Sequence, residues 1–315
     1  MSTINDPRKS KEFSKCTFSN FKKVDVQREL QYSILKNQIE SACYWSAELI
    51  CSGHFEELWD IIFIIVSKHI RLSNPRLAIY INLRCNRFKD IANTFSTDNE
   101  IDMRNNINVR VMFAEMCSIL CLSEKLPAFE PVKITPEEFT IMEMSNKFKA
   151  PDVNYAISIS KPNDPKEIYV AINELAYNLK VTKNLLNGCY WVEWIIEYDK
   201  LCRKHKKILE CETREFVNIQ NQKMLTDPIW IVWDLLLQFS EDNLHVHECI
   251  QALLNLYCLK FTQSSKNKRK YILYFAMELL MNEQSLYIDI ISENSKEQIA
   301  TVCKNINKVY NKINP

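Results

Sequence analysis

The chain has 315 residues, 47% of them hydrophobic and 25% charged, with a net charge of +1; this is the balance of a globular protein with room for one large or two ordinary domains. So small a net charge excludes nucleic-acid binding through the field of the whole molecule and leaves only local patches. Its two glycines, Gly53 and Gly188, exclude a P-loop, a GxGxxG turn and a GxSxG nucleophile elbow, each of which needs several glycines close together.

Residues 1–24 are polar and basic, carrying Arg8, Lys9, Lys11, Lys15, Lys22 and Lys23 without the apolar stretch of a secretory signal. They read as a flexible arm. From Asp25 apolar residues recur at three and four (Leu30, Ile34, Leu35, Ile39, Ala42, Cys43, Ala47, Ile50), which predicts two helices broken near Glu40-Ser41. Phe55 to Val66 is apolar almost all round, as in a helix inside a bundle. Acidic Glu56-Glu57 at its start and Lys68-His69 at its end favour helix over strand. Ser73-Asn74-Pro75 opens a fourth helix, Arg76 to about Ile91, because proline fits the first helical position. A polar connection, Ser96 to Asn106, leads to a fifth, Asn108 to Leu122. Six of the ten prolines fall between Leu126 and Pro165, so residues 126–164 read as a linker between a domain at 25–125 and one at 165–315. Within the linker Thr135-Pro136-Glu137-Glu138 caps a short helix.

In the second domain helices are expected at about Ile168 to Val181, Lys183 to Lys200, Arg203 to Asn221, Ile229 to Phe239, Val246 to Phe261 and Tyr271 to Met281. A polar helix running through Lys308 closes the chain. Glu29-Leu30 and Tyr32 leading into Cys43-Tyr44-Trp45 and Glu48 reappear as Glu174-Leu175, Tyr177, Cys189-Tyr190-Trp191 and Glu193, the triplets 146 residues apart. Ser73-Asn74-Pro75 is echoed by Thr226-Asp227-Pro228, which makes Ile229 to Phe239 the counterpart of the fourth helix. All six tryptophans lie in these repeated stretches. The fold expected is therefore all-α, two similar helical-bundle domains from an internal duplication.

Tyr32 to Ala78 carries more than the repeat. Cys43-Tyr44-Trp45-Ser46-Ala47, then Ile50-Cys51-Ser52-Gly53, the apolar Leu58 to Val66 and the turn into Asn74-Pro75-Arg76-Leu77 resemble the helical C-terminal collar of clamp-loader-related ATPases of the RarA or MgsA type. In the second copy the likeness survives in Tyr190-Trp191 and Asp227-Pro228. The resemblance implies oligomerisation or docking. The family's ATPase activity is not carried over, because the P-loop is missing. The Asn-, Ile- and Lys-rich style is also similar to proteins of large nucleocytoplasmic DNA viruses.

Twelve cysteines, scattered among apolar residues, read as reduced core fillers of an intracellular compartment: cytoplasm, nucleus or viral factory. His245, His247, Cys249, Cys202, His205 and Cys211 are zinc-ligand types, but without a Cys-x-x-Cys pair they assign no metal site. No catalytic residue and no cofactor is assigned. Glu48 and Glu193 read as buried caps or salt-bridge partners rather than paired acids. Two basic runs remain as candidate contacts to nucleic acid or an acidic partner: Arg203, Lys204, Lys206 and Lys207 on a surface helix, and Lys266, Lys268, Arg269 and Lys270 in a link. The function expected is a non-enzymatic assembly or adaptor role in DNA replication, repair or viral morphogenesis, with self-association or a protein partner and no membrane. Nucleic-acid binding through the basic helix is the alternative.

Overall fold

With almost no glycine for hairpins, this backbone pairs its amides inside helices. The computed structural model describes residues 3–95, 100–282, 286 and 289–313, and among these it holds fourteen α-helices and no strand. In order they are α1 (Lys23–Leu35), α2 (Ile39–Cys51), α3 (Phe55–Ile64), α4 (Leu77–Asn93), α5 (Glu100–Asn105), α6 (Ile107–Leu122), α7 (Ile141–Ser145), α8 (Tyr169–Tyr177), α9 (Leu185–Lys204), α10 (Ile229–Ser240), α11 (Leu244–Cys258), α12 (Gln263–Lys268), α13 (Lys270–Met281) and α14 (Glu293–Ile313). None of them is long and apolar enough to cross a membrane.

Caps explain many of the boundaries. Asn106, Thr140, Asn184, Asn243 and Thr262 each accept a backbone N–H from the first turn of the helix that follows. At the other ends, where glycine would serve, the chain turns through Asn37, Arg71, Lys183, Lys206 and Lys260, all at positive φ. Asn37 places the break between α1 and α2 a few residues earlier than the sequence suggests. Both α3 and α8 run on as π-helix, over Ile65–Ile70 and Asn178–Thr182, before Arg71 and Lys183 stop them.

The chain divides into two compact units, Met1–Pro127 with Tyr287–Pro315, and Ala128–Leu286. The boundaries expected from sequence are corrected on three counts. First, the amino-terminal arm, as far as it is described, is packed rather than mobile: Ile4, Phe13 and Thr17 are fully buried. Second, α14 belongs to the first unit, with Ile299, Ile306, Tyr310 and Ile313 turned inward against α2 and α6. Third, the proline-rich stretch is a strap on the second unit. Along it Phe129 stacks on Tyr271, Phe139 meets Trp194 edge-on at 5.4 Å, Phe148 faces Trp191, and Tyr155 lies on Tyr177.

In the first unit α2 packs on α1, α3, α6 and α14. Beside it an aromatic cluster joins α3, α4 and α6, with Trp59 at 5.1 Å from Phe113 and 5.7 Å from Phe88. In the second unit α9 packs on α8, α10 and α13. Trp230 meets Phe261 at 4.7 Å and Trp233 meets Tyr257 at 5.2 Å, closing α10 onto α11 and the turn after it.

Candidate nucleic-acid or partner interface

The two basic runs end in opposite circumstances. At the first, α9 does not continue into the basic helix expected over Arg203 to Asn221. Lys206, at φ 60, ends it, and an irregular segment follows. Lys204 and Lys206 stand exposed there beside Lys207, which pairs with Glu167 at 2.6 Å, and the exposed Ile208. Arg203 turns inward to Asp199 at 3.0 Å and Asp227 at 3.4 Å.

The second run, Lys268 apart, is turned into the structure. Lys266 is only 1% exposed, its Nζ 2.6 Å from Asp199 Oδ2 and 2.8 Å from Asp227 Oδ2, both carboxylates equally sealed from water. The segment expected as a link is helix α12, capped by Thr262, and its register points Lys266 inward while Lys268 stays exposed. Arg269 donates to the carbonyls of Tyr257 and Leu259, satisfying the end of α11. Lys270 meets Glu193 at 2.6 Å, and Tyr274 donates to the same carboxylate. Of the eight cations proposed from sequence, Arg203, Lys266, Arg269 and Lys270 are thus engaged by acceptors within the fold.

Electrostatics follows from this arrangement. Burial alone would raise the Asp199 pKa, but the Lys266 ammonium and the Arg203 guanidinium outweigh it and hold the carboxyl below its ordinary value. Asp227 also accepts from Ile229 N at 3.0 Å, capping α10. A second ion-pair group lies nearby in sequence: the buried Arg214 binds Asp164 at 2.6 Å and the partly exposed Asp234 at 2.9 Å. Neither cluster has a sequence signal beyond acidic and basic residues scattered over about 70 positions, so neither was legible in advance.

The other candidates resolve residue by residue. Glu48, fully buried, accepts from Ser19 N at 2.6 Å and Ser19 Oγ at 2.9 Å, whereas Glu193 takes Tyr274 and Lys270. Glu48 follows its cysteine by five positions and Glu193 by four, about 100° apart on a helix, so the two serve different neighbours. Cys211 points its thiol at Asp227 O, His247 contacts Ser240, and His245 is exposed. Among the described residues no three His, Cys, Asp or Glu side chains gather as a metal would require. Burial pushes the Cys117 and Cys211 thiols up to about 12, far from nucleophilic thiolate character. Compared with protein families, curated proteins and solved structures, the chain matches none.

Proposed function

We propose that the chain is a non-enzymatic assembly or adaptor protein built from two related helical modules. The observation that carries this reading is the pair Ile141 and Met142 on α7, 84% and 77% exposed. Helix α7 sits in the strap between two anchored points, Phe139 on Trp194 and Phe148 on Trp191. Large apolar side chains held outward on an anchored segment suit a protein partner, and methionine adapts to the surface it meets. The collar resemblance of residues 32–78 points the same way, toward oligomeric machinery of DNA replication or repair, and the Asn-, Ile- and Lys-rich style toward viral morphogenesis.

Relatedness of the modules is supported by parallel construction. Helices α1 to α6 and α8 to α13 follow one order, each series with a six-residue fifth helix, and six packed pairs recur at equivalent places. Under this correspondence the tryptophans fall on the second and third helices of each series: Trp45 and Trp59, then Trp191 and Trp194 with Trp230 and Trp233. A residue of the segment preceding each series meets the shared tryptophan, Phe21 on Trp45 and Phe148 on Trp191. Helix α10 then matches α3 rather than the fourth helix, and the segment after α9 is the insertion.

Size-exclusion chromatography with light scattering tests the assembly role. The native chain is expected to self-associate or to co-elute with a companion, and Ile141→Glu with Met142→Glu to abolish this while leaving the melting temperature unchanged. A monomer that captures no companion overturns it. Nucleic-acid binding keeps one supporting observation, the exposed Lys204 and Lys206 at the end of α9. That alternative expects DNA affinity that falls steeply with salt and is lost when Lys204, Lys206 and Lys207 are neutralised.

A further inference from the structure

Independently of any assembly role, the second unit carries a cleft of about 400 Å³ between the end of the strap, Phe216 and helices α10 and α11, within the size range of small-ligand sites. Ile159, Phe216 and Leu237 give it an apolar base, and Asp234, Glu241 and His247 are among its polar lining.

The two carboxylates are left with accepting capacity. Asp234 meets Arg214 Nε through Oδ2 at 2.9 Å, which leaves Oδ1 able to accept. The Arg214 charge is already shared with Asp164 beneath. Ser240 Oγ donates to Leu237 O at 2.7 Å and lies 2.8 Å from His247 Nδ1, which ties that imidazole to the end of α10. Glu241 is exposed. Against these stands Lys161, whose Nζ donates to Thr213 O at 3.0 Å.

We propose that this cleft binds a cationic nitrogen on a short apolar stem, a guanidinium or a primary amine. The stem lies on Phe216 and Leu237, and the N–H donors meet the Asp234 and Glu241 carboxylates. A free small molecule and an arginine side chain of another chain offer the same chemistry.

Titration of the full chain with agmatine, followed by calorimetry, tests the assignment. Saturable one-to-one binding is expected, with glutarate and isoamyl alcohol failing to compete. Glu241→Gln, which touches no buried contact, should weaken agmatine about fivefold or more, as loss of a charge-assisted hydrogen bond does, at an unchanged melting temperature. Phe216→Ala should weaken it as well. A capped Leu-Arg-Leu peptide binding more tightly than agmatine identifies a side chain as the natural occupant, and the reverse order a free amine. Agmatine that fails to bind, is matched by sodium chloride at equal ionic strength, or is indifferent to both substitutions overturns the proposal.

Discussion

Lys266 sits where no water can solvate its ammonium, so its charge is tolerable only because Asp199 and Asp227 flank it at 2.6 and 2.8 Å. Such a cluster adds little net stability as a whole, yet removing one partner strands the others in a low dielectric. Lys266→Met should therefore cost about 3–5 kcal/mol in urea unfolding, far more than its loss of a surface charge would suggest. Lys268→Met, two residues on and exposed, should cost under about 0.5 kcal/mol. The acid limb of stability follows from Asp199, whose folded pKa lies below its unfolded one. A group of that sign contributes stability that is fully present above the unfolded value, near 3.9, and lost as the pH falls through the lower folded value. Asp164, held low by Arg214 against its own desolvation, acts in the same sense. The urea midpoint should fall steeply below about pH 4, and less steeply in Asp199→Asn; a midpoint with the same acid slope in that variant would contradict the account.

At the scale of single elements, the two glycines do opposite things. Gly53 ends α2 at φ 73, a backbone that costs other residues about 1–2 kcal/mol, and a Cβ there would lie 3.1 Å from Ser10 Cβ. Gly188 is ordinary helix inside α9, where a Cβ would meet Met277 Sδ at 3.4 Å and Met281 Cε at 3.6 Å, normal contact distances. Gly53→Ala should accordingly destabilise by about 1 kcal/mol or more, and Gly188→Ala should be neutral or stabilise by up to about 1 kcal/mol, the difference in helix propensity. Thermal melts of the pair read the contrast directly. Elsewhere the same shortage of glycine leaves Arg71, Lys183, Lys206 and Lys260 to make left-handed turns. These turns account for several helix ends that carry no obvious stop signal in the sequence.

For the whole molecule, the return of the chain from the second unit to the first is the main organisational fact. Helix α14 buries Ile299, Ile306, Tyr310 and Ile313 against α2 and α6. At about 1.5–3 kcal/mol for each fully buried large apolar side chain, their loss is comparable to the whole stability of a domain. A chain ending at Ser292 should show the first unit cut by protease and the second unit resistant, a pattern readable from fragment masses. Equal survival of both units would mean that α14 is not part of that core.

Periodicity alone was enough for the class of fold, because buried positions in a helix recur every three to four residues whatever the helix packs against. It located the helices now described as α1 to α4, α6, α8 to α11, α13 and α14, while the acidic start and basic end of the apolar rod at Phe55 separated it from a strand. Tertiary structure decided everything that depends on who faces whom. An irregular segment such as residues 128–165 has no period, so nothing in it distinguishes a strap from a linker until Phe139 and Phe148 are seen on tryptophans. The basic runs mislead for the same reason: charge is visible in a sequence, but whether a lysine faces water or two carboxylates distant in sequence is set by the fold. Lys266 and Lys268 are two residues apart in one helix and lie on opposite sides of that distinction.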